Sequence, residues 1–251
     1  MVEPTQSGVL VLSIDVRDEE PKTAFAALEV LERLSGLELP ATWMVTDPEL
    51  ASRIASRLTP NEVALNLRGP VSTSRGEFSR QLAVSLAALR KVGQPVTTLA
   101  IEGPLAHADL IAERGIRAIR TLPAAPRSFF TLVQRPASLA APECVKGGLW
   151  NVPVTSVLGG KSGRRWLSGR VTRSVPSAIG QVAAEGGYAH LLITLEASGA
   201  SGVARSVSPV LSLIQALSER GLKIETVASA AMRLGATRVR FGARGSILRA
   251  A

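Results

Sequence analysis

Short runs of β-branched and aliphatic residues alternate with longer amphipathic patterns along most of the chain, and this alternation limits the folds open to it. The runs are GVLVLSI (8–14), ATWMVT (41–46), EVALNL (62–67), TTLAIE (97–102), IRAIRT (116–121), LWNVPVT (149–155), HLLITLE (190–196) and LKIETV (222–227). Most are nearly continuous in apolar residues, as expected of strands covered on both faces. Between them, residues 23–36, 47–58, 76–93, 107–115 and 207–221 repeat apolar positions at helical spacing. Asp47 followed by Pro48 marks a helix start. Gly36, Gly93, Gly115 and Gly221 each follow a basic last turn and mark helix ends. Strand and helix alternating through short connections imply a mostly parallel sheet with right-handed crossovers. The pattern predicts an α/β fold, a distorted TIM-type (β/α) barrel of about seven to eight strands. A doubly wound open sheet is the alternative.

Two stretches break the rhythm. Residues 122–148 are rich in Pro and Ala, and residues 156–174 are rich in Gly and Ser, with Lys161, Arg164, Arg165, Arg170 and Arg173. The LGGKSGRR segment (158–165) lacks the first glycine of a phosphate-binding loop, so it reads as a basic loop. From about residue 235 a tail adds Arg238, Arg240, Arg244 and Arg249. Nothing resembles an interdomain linker, and a single domain over 1–251 is expected. Aromatics are only 4% of the chain, so Leu, Val, Ile and Ala must fill the core. No apolar run approaches the ~20 residues of a membrane helix. The opening MVEPTQSG lacks the basic-then-apolar pattern of a secretory signal, which leads to a cytoplasmic expectation. A single cysteine, Cys144, excludes an internal disulfide and a multi-thiolate metal site. The formal charge of +9 favours anionic partners. Nucleic acid is disfavoured among them, because no nucleic-acid-binding motif accompanies the charge.

The order of segments resembles the polysaccharide deacetylases of the NodB-homology family. SIDVRD (13–18) is similar to the family's first motif, ATWMV (41–45) to the strand after the first helix, and GPLAHADLIAERGIRAIRT (103–121) to the third motif. GLWNVPVT (148–155) resembles a later strand, and SPVLSLIQALSERGLKIETVASAAMRL (208–234) the last helix and strand. The resemblance implies a general base at Asp15, with a second Asp and two His holding a divalent metal that polarises an N-acetyl carbonyl and its attacking water. Asp18 could be the second Asp. The two His positions hold Asn66 and Pro70, and neither replaces imidazole as a ligand. The arginine of the third motif is Glu102 here, and the late catalytic His is absent near Thr194 to Glu196. The resemblance therefore implies a degenerate member with no metal and no cofactor.

Asp15, Asp18, Glu102 and Glu196 all follow or end strands, so a barrel would gather them at one mouth as vestigial or altered catalytic groups. Arg17, Arg68, Asn66 and Trp150 are the expected ligand-binding residues. Arg17 or Arg68 is expected to pair with Asp15, Asp18 or Glu102, since crowded carboxylates call for a nearby cation. His107 and His190 read as surface or capping residues, His190 at the floor of the barrel. The expected function is a catalytically silent deacetylase-like protein that binds a glycan, a cell-wall-type ligand or a protein partner. The alternatives are a metal-independent carboxylate hydrolase acting on carbohydrate and a polyanion-binding protein.

Overall fold

The computed structural model describes residues 8–17, 20–57, 60–67, 74–93, 95–101, 105–122, 141–159, 174–196 and 200–236. Its centre is strand β1 (Val9–Val16), whose eight residues are all buried. One face of β1 (Leu10, Leu12, Ile14, Val16) joins a large cluster beneath the surrounding helices. Val11 on the other face joins a smaller cluster inside the sheet. Ser13 and Asp15 continue that inner face, because side chains alternate along a strand.

The strands are β1, β2 (Thr42–Val45), β3 (Glu62–Leu67), β4 (Thr98–Ile101), β5 (Ala118–Thr121), β6 (Glu143–Cys144), β7 (Trp150–Asn151), β8 (Ser156–Gly159), β9 (Tyr188–Leu195) and β10 (Lys223–Glu225). They form one sheet of ten strands in the order β6-β7-β5-β4-β3-β2-β1-β9-β8, with β10 also pairing β1. Neighbours in space are mostly neighbours in sequence and run parallel, β6 on β7 being antiparallel. Helices α1 (Pro21–Gly36), α2 (Pro48–Ala55), α3 (Arg75–Arg90), α4 (Ala108–Glu113), α5 (Ser174–Glu185) and α6 (Ala200–Ser218) connect them. The result is the expected barrel-like curl of a parallel sheet. The pairing does not follow the crossed order of a doubly wound sheet.

Local structure follows residue chemistry. Asp47 caps α2 by accepting from the backbone N–H groups of Glu49 and Leu50, at 3.0 and 3.2 Å. The end of α1 differs from expectation: Gly36 is its last residue, and Glu38 takes the left-handed conformation at φ 54°. The LWNVPVT run forms a strand only at Trp150–Asn151, since Pro153 offers no N–H to a ladder. Strand β8 and helix α5 fall in or beside the stretch that composition marked as loop. β8 nevertheless pairs with β9 from Ser156 to Gly159. Gly8 is required by close approach, because a Cβ there would lie 2.1 Å from the backbone oxygen of Val182 on α5.

The floor of the barrel is closed by a helix over 227–236 that follows β10. Val227, Ala230 and Ala231 enter the inner cluster with Val11, Met44, Ala64, Ala100, Ala118 and Val152, so the interior is packed rather than open. The first turn of this helix is capped from the sheet. The Val227 N–H donates to Thr42 Oγ1 at 2.8 Å, and the Ala228 N–H to Glu62 Oε2 at 3.0 Å. The Thr42 hydroxyl in turn donates to Glu62 Oε2 at 2.7 Å. A carboxylate beside a helix N-terminus also suits the helix dipole. Burial nonetheless pushes the Glu62 carboxyl above its ordinary range, against the hydrogen bonds that lower it.

Candidate functional site at the barrel mouth

Residues at the C-terminal ends of barrel strands share one mouth, and the structure brings several of the expected groups there. Asp15, next to last in β1, is fully buried, and Asn66, next to last in β3, is nearly so. Asp15 lies in register with Thr194 of β9, two residues before Glu196. Arg17 lies just beyond β1 and spans two carboxylates, with Nε 4.0 Å from Asp15 Oδ2 and Nη1 3.8 Å from Glu196 Oε1. The expected guanidinium partner of Asp15 is therefore present in Arg17. Asp18, Arg68 and Glu102 lie outside the described residues.

A second guanidinium lies closer to Asp15 than that of Arg17, on a residue that sequence reasoning did not single out. Arg120 of β5 places Nη1 3.0 Å from Asp15 Oδ2, and both side chains are 0% exposed. Its strand explains how a long cationic side chain fits inside a barrel. Ala118, two residues earlier, and Ala100, in register on β4, are both buried inner-face residues, and their short side chains leave room for the arginine stem.

His190 corrects an expectation. It is neither on the surface nor a cap, because β9 begins at Tyr188 and carries the His190 ring into the interior, where it is fully buried. Nδ1 lies 3.2 Å from the Val152 carbonyl and Nε2 2.8 Å from Ser13 Oγ. A carbonyl only accepts, so Nδ1 carries the proton and Nε2 accepts from the Ser13 hydroxyl. Burial, and secondarily the charge of Arg120, pushes the imidazole down to about 3, so it stays neutral. His107 is half-buried before α4, its ring centroid 5.3 Å from that of Phe78. Trp150 is not gathered with Asp15: it packs against the inner cluster, close to Gly235 of the floor helix.

A metal tests poorly against this donor set. Asp15 faces two guanidinium groups, Asn66 offers an amide where the resemblance calls for an imidazole, and a third cation beside Arg120 and Arg17 would be repelled. Among the described residues no group of three or more His, Cys, Asp or Glu is placed to hold one.

No protein-family model matches the sequence, and no curated protein does. Solved structures do. A protein from Mycobacterium smegmatis, provisionally assigned as a polysaccharide deacetylase, superposes with a TM-score of 0.68 at 15% identity, covering 94% of this chain and 92% of its own. The chain has the polysaccharide-deacetylase fold. A Bacteroides thetaiotaomicron protein provisionally assigned as a hydrolase matches at TM-score 0.52 and 14% identity, covering 88% of this chain and 47% of its own. A pseudoenzyme of carbohydrate esterase family 4 from Bacillus anthracis aligns at TM-score 0.49 and 15% identity, over 91% of this chain and 66% of its own. At such identities the likeness is one of fold, and the chemistry must be argued from the residues. Among the described residues, no helix is long and apolar enough to cross a membrane.

Proposed function

We propose that this chain is a deacetylase-fold protein without deacetylase chemistry, whose barrel mouth binds a glycan. The observation that carries the proposal is the buried ion pair of Asp15 with Arg120. A carboxylate acting as general base needs a proton to take from water or substrate within hydrogen-bond reach. Asp15 is instead fully buried and ion-paired with a guanidinium 3.0 Å away. Its neighbour Glu196 is likewise near a guanidinium, that of Arg17. The same contacts disfavour a carboxylate hydrolase, which needs one acid free to donate a proton and one poised base.

Acetate release from N-acetylglucosamine oligomers, assayed with zinc, cobalt or manganese added in turn, tests the silent part of the proposal. The expected result is no acetate above the protein-free control. Metal-dependent turnover that disappears in Asp15→Asn would overturn it. Binding of the same oligomers, followed by calorimetry, tests the other part.

A further inference from the structure

The exposed cations of this chain are not uniformly matched by acids. On α1 and around α2, Arg33, Arg53 and Arg57 pair with the carboxylates of Glu29, Glu49 and Glu32 respectively. At the floor end of α3, α4 and β5 the pattern changes. Arg90 closes α3 with Lys91 beside it, Arg114 follows α4, and Arg117 comes just before β5, all of them exposed. Backbone contacts bring them to one face. Arg90 Nη2 donates to the Arg114 carbonyl at 2.8 Å. The Arg117 N–H donates to the Thr97 carbonyl at 2.7 Å, which sets the start of β5 against the chain leading from α3 into β4. Among the described residues, none of these cations has a carboxylate partner. The Arg114 guanidinium donates to Ser79 Oγ at 3.2 Å, so it and Arg90 are held by neutral acceptors. The Glu113 carboxylate and the partial negative charges at the ends of α3 and α4 offset about two of the positive charges, and the face stays positive.

From this we infer that the α3–α4 face, at the end of the barrel opposite the mouth, is a docking surface for an acidic polysaccharide. Charge complementarity calls for an anion, and guanidinium groups suit the paired oxygens of carboxylates. A polymer is required, because single exposed contacts are screened by salt, whereas several along one chain reinforce one another. A lipid surface fits poorly: α3 turns its apolar face, Phe78, Leu82, Leu86 and Leu89, into the core. Single-stranded nucleic acid fits poorly too, since stacking needs aromatic side chains, and among the described residues the exposed aromatic is Phe25 on α1. The choice of a glycan rests on the reading of the chain as a glycan binder; the positive face does not.

Fluorescence anisotropy with labelled polygalacturonate fragments and with neutral dextran of the same length, at about 0.15 M salt, tests the inference. Polygalacturonate is expected to bind and dextran not to. Lys91→Gln/Arg114→Gln/Arg117→Gln should weaken binding ~8-fold, each exposed charge contact supplying roughly a factor of two. Arg90 is kept because it holds the end of α4. The control Arg33→Gln/Arg53→Gln/Arg57→Gln removes the same formal charge from paired sites and should stay within about twofold of wild type. If the first variant does not fold, acetylation footprinting of the wild-type protein takes its place. Bound polygalacturonate should then slow acetylation of Lys91 and leave that of the exposed Lys22 on α1 unchanged. Equal effects of the two triple variants overturn the inference, since net charge alone would then govern binding. So does a Lys91 that gains no protection, or dextran that binds as well as polygalacturonate. A single-stranded DNA oligomer or phosphatidylglycerol vesicles that bind more tightly than polygalacturonate, and lose that binding in the first variant, overturn the choice of partner. Failure here is distinct from failure of the functional proposal, which is read from uncharged oligomers at the mouth and from acetate release.

Discussion

Removing one member of the Asp15–Arg120 pair should be far more costly than removing both. The two groups are 3.0 Å apart and 0% exposed. At that separation of 3.0 Å and an effective dielectric constant of about 20, their attraction is about 5 kcal/mol. Desolvation of both ions offsets much of this, so the pair as a whole adds little to stability. Breaking it differs, because Arg120→Met removes the nearer of two guanidiniums from a buried carboxylate and Asp15→Asn removes the carboxylate from a buried guanidinium. Each single variant should lose about 3–5 kcal/mol of unfolding free energy. The double variant Asp15→Asn/Arg120→Met should lie within about 2 kcal/mol of wild type, since neither charge remains to be solvated. Urea unfolding followed by circular dichroism gives all four corners of the cycle. Single variants each costing under about 1 kcal/mol, with additive effects in the double, would show that these groups are solvated and do not depend on one another.

Two further outcomes concern pH. Glu62 has its folded pKa raised by burial, so the unfolded chain releases this proton first, and stability should fall as pH rises above the unfolded value of 4.5 toward the raised folded one. Glu62→Gln, whose amide oxygen can still accept from Thr42 and Ala228, should remove that slope; unfolding curves of the two proteins that stay parallel from pH 4 to 8 would refute it. His190 acts in the opposite sense, because its folded pKa is depressed to about 3 from 6.5. Its contribution is fully present above 6.5 and is lost as pH falls toward about 3, and nuclear magnetic resonance of the ring should show no titration between pH 5 and 8. A ring that titrates near 6.5 would place it in water.

Much of the fold was legible because its strands are parallel and covered on both faces. EVALNL reads as a buried strand whatever surrounds it, and β3 has those six residues. Strand β8 was hidden, since SVLG stands in a Gly-rich basic stretch and its pairing with β9 is a tertiary fact. In the site, Asp15 was legible from its place at the end of the first strand. Arg120 was not. IRAIRT holds two arginines, and strand periodicity sets Arg117 and Arg120 on opposite faces without saying which face is inside. Ala118, which shares a face with Arg120, is the signal that could have decided it, because small inner residues make room for a long one. His190 was misplaced because the run HLLITLE starts two residues after Tyr188, where β9 begins. That shift moved the imidazole from the interior to the floor.

The central claim is that an arginine, and not a metal, faces Asp15. The most direct test is anomalous X-ray scattering at the zinc edge, from crystals grown with zinc. The expected result is no anomalous peak in the mouth, with the Arg120 guanidinium in contact with the Asp15 carboxylate. A zinc peak bound by Asp15, with Arg120 turned away, would contradict the account.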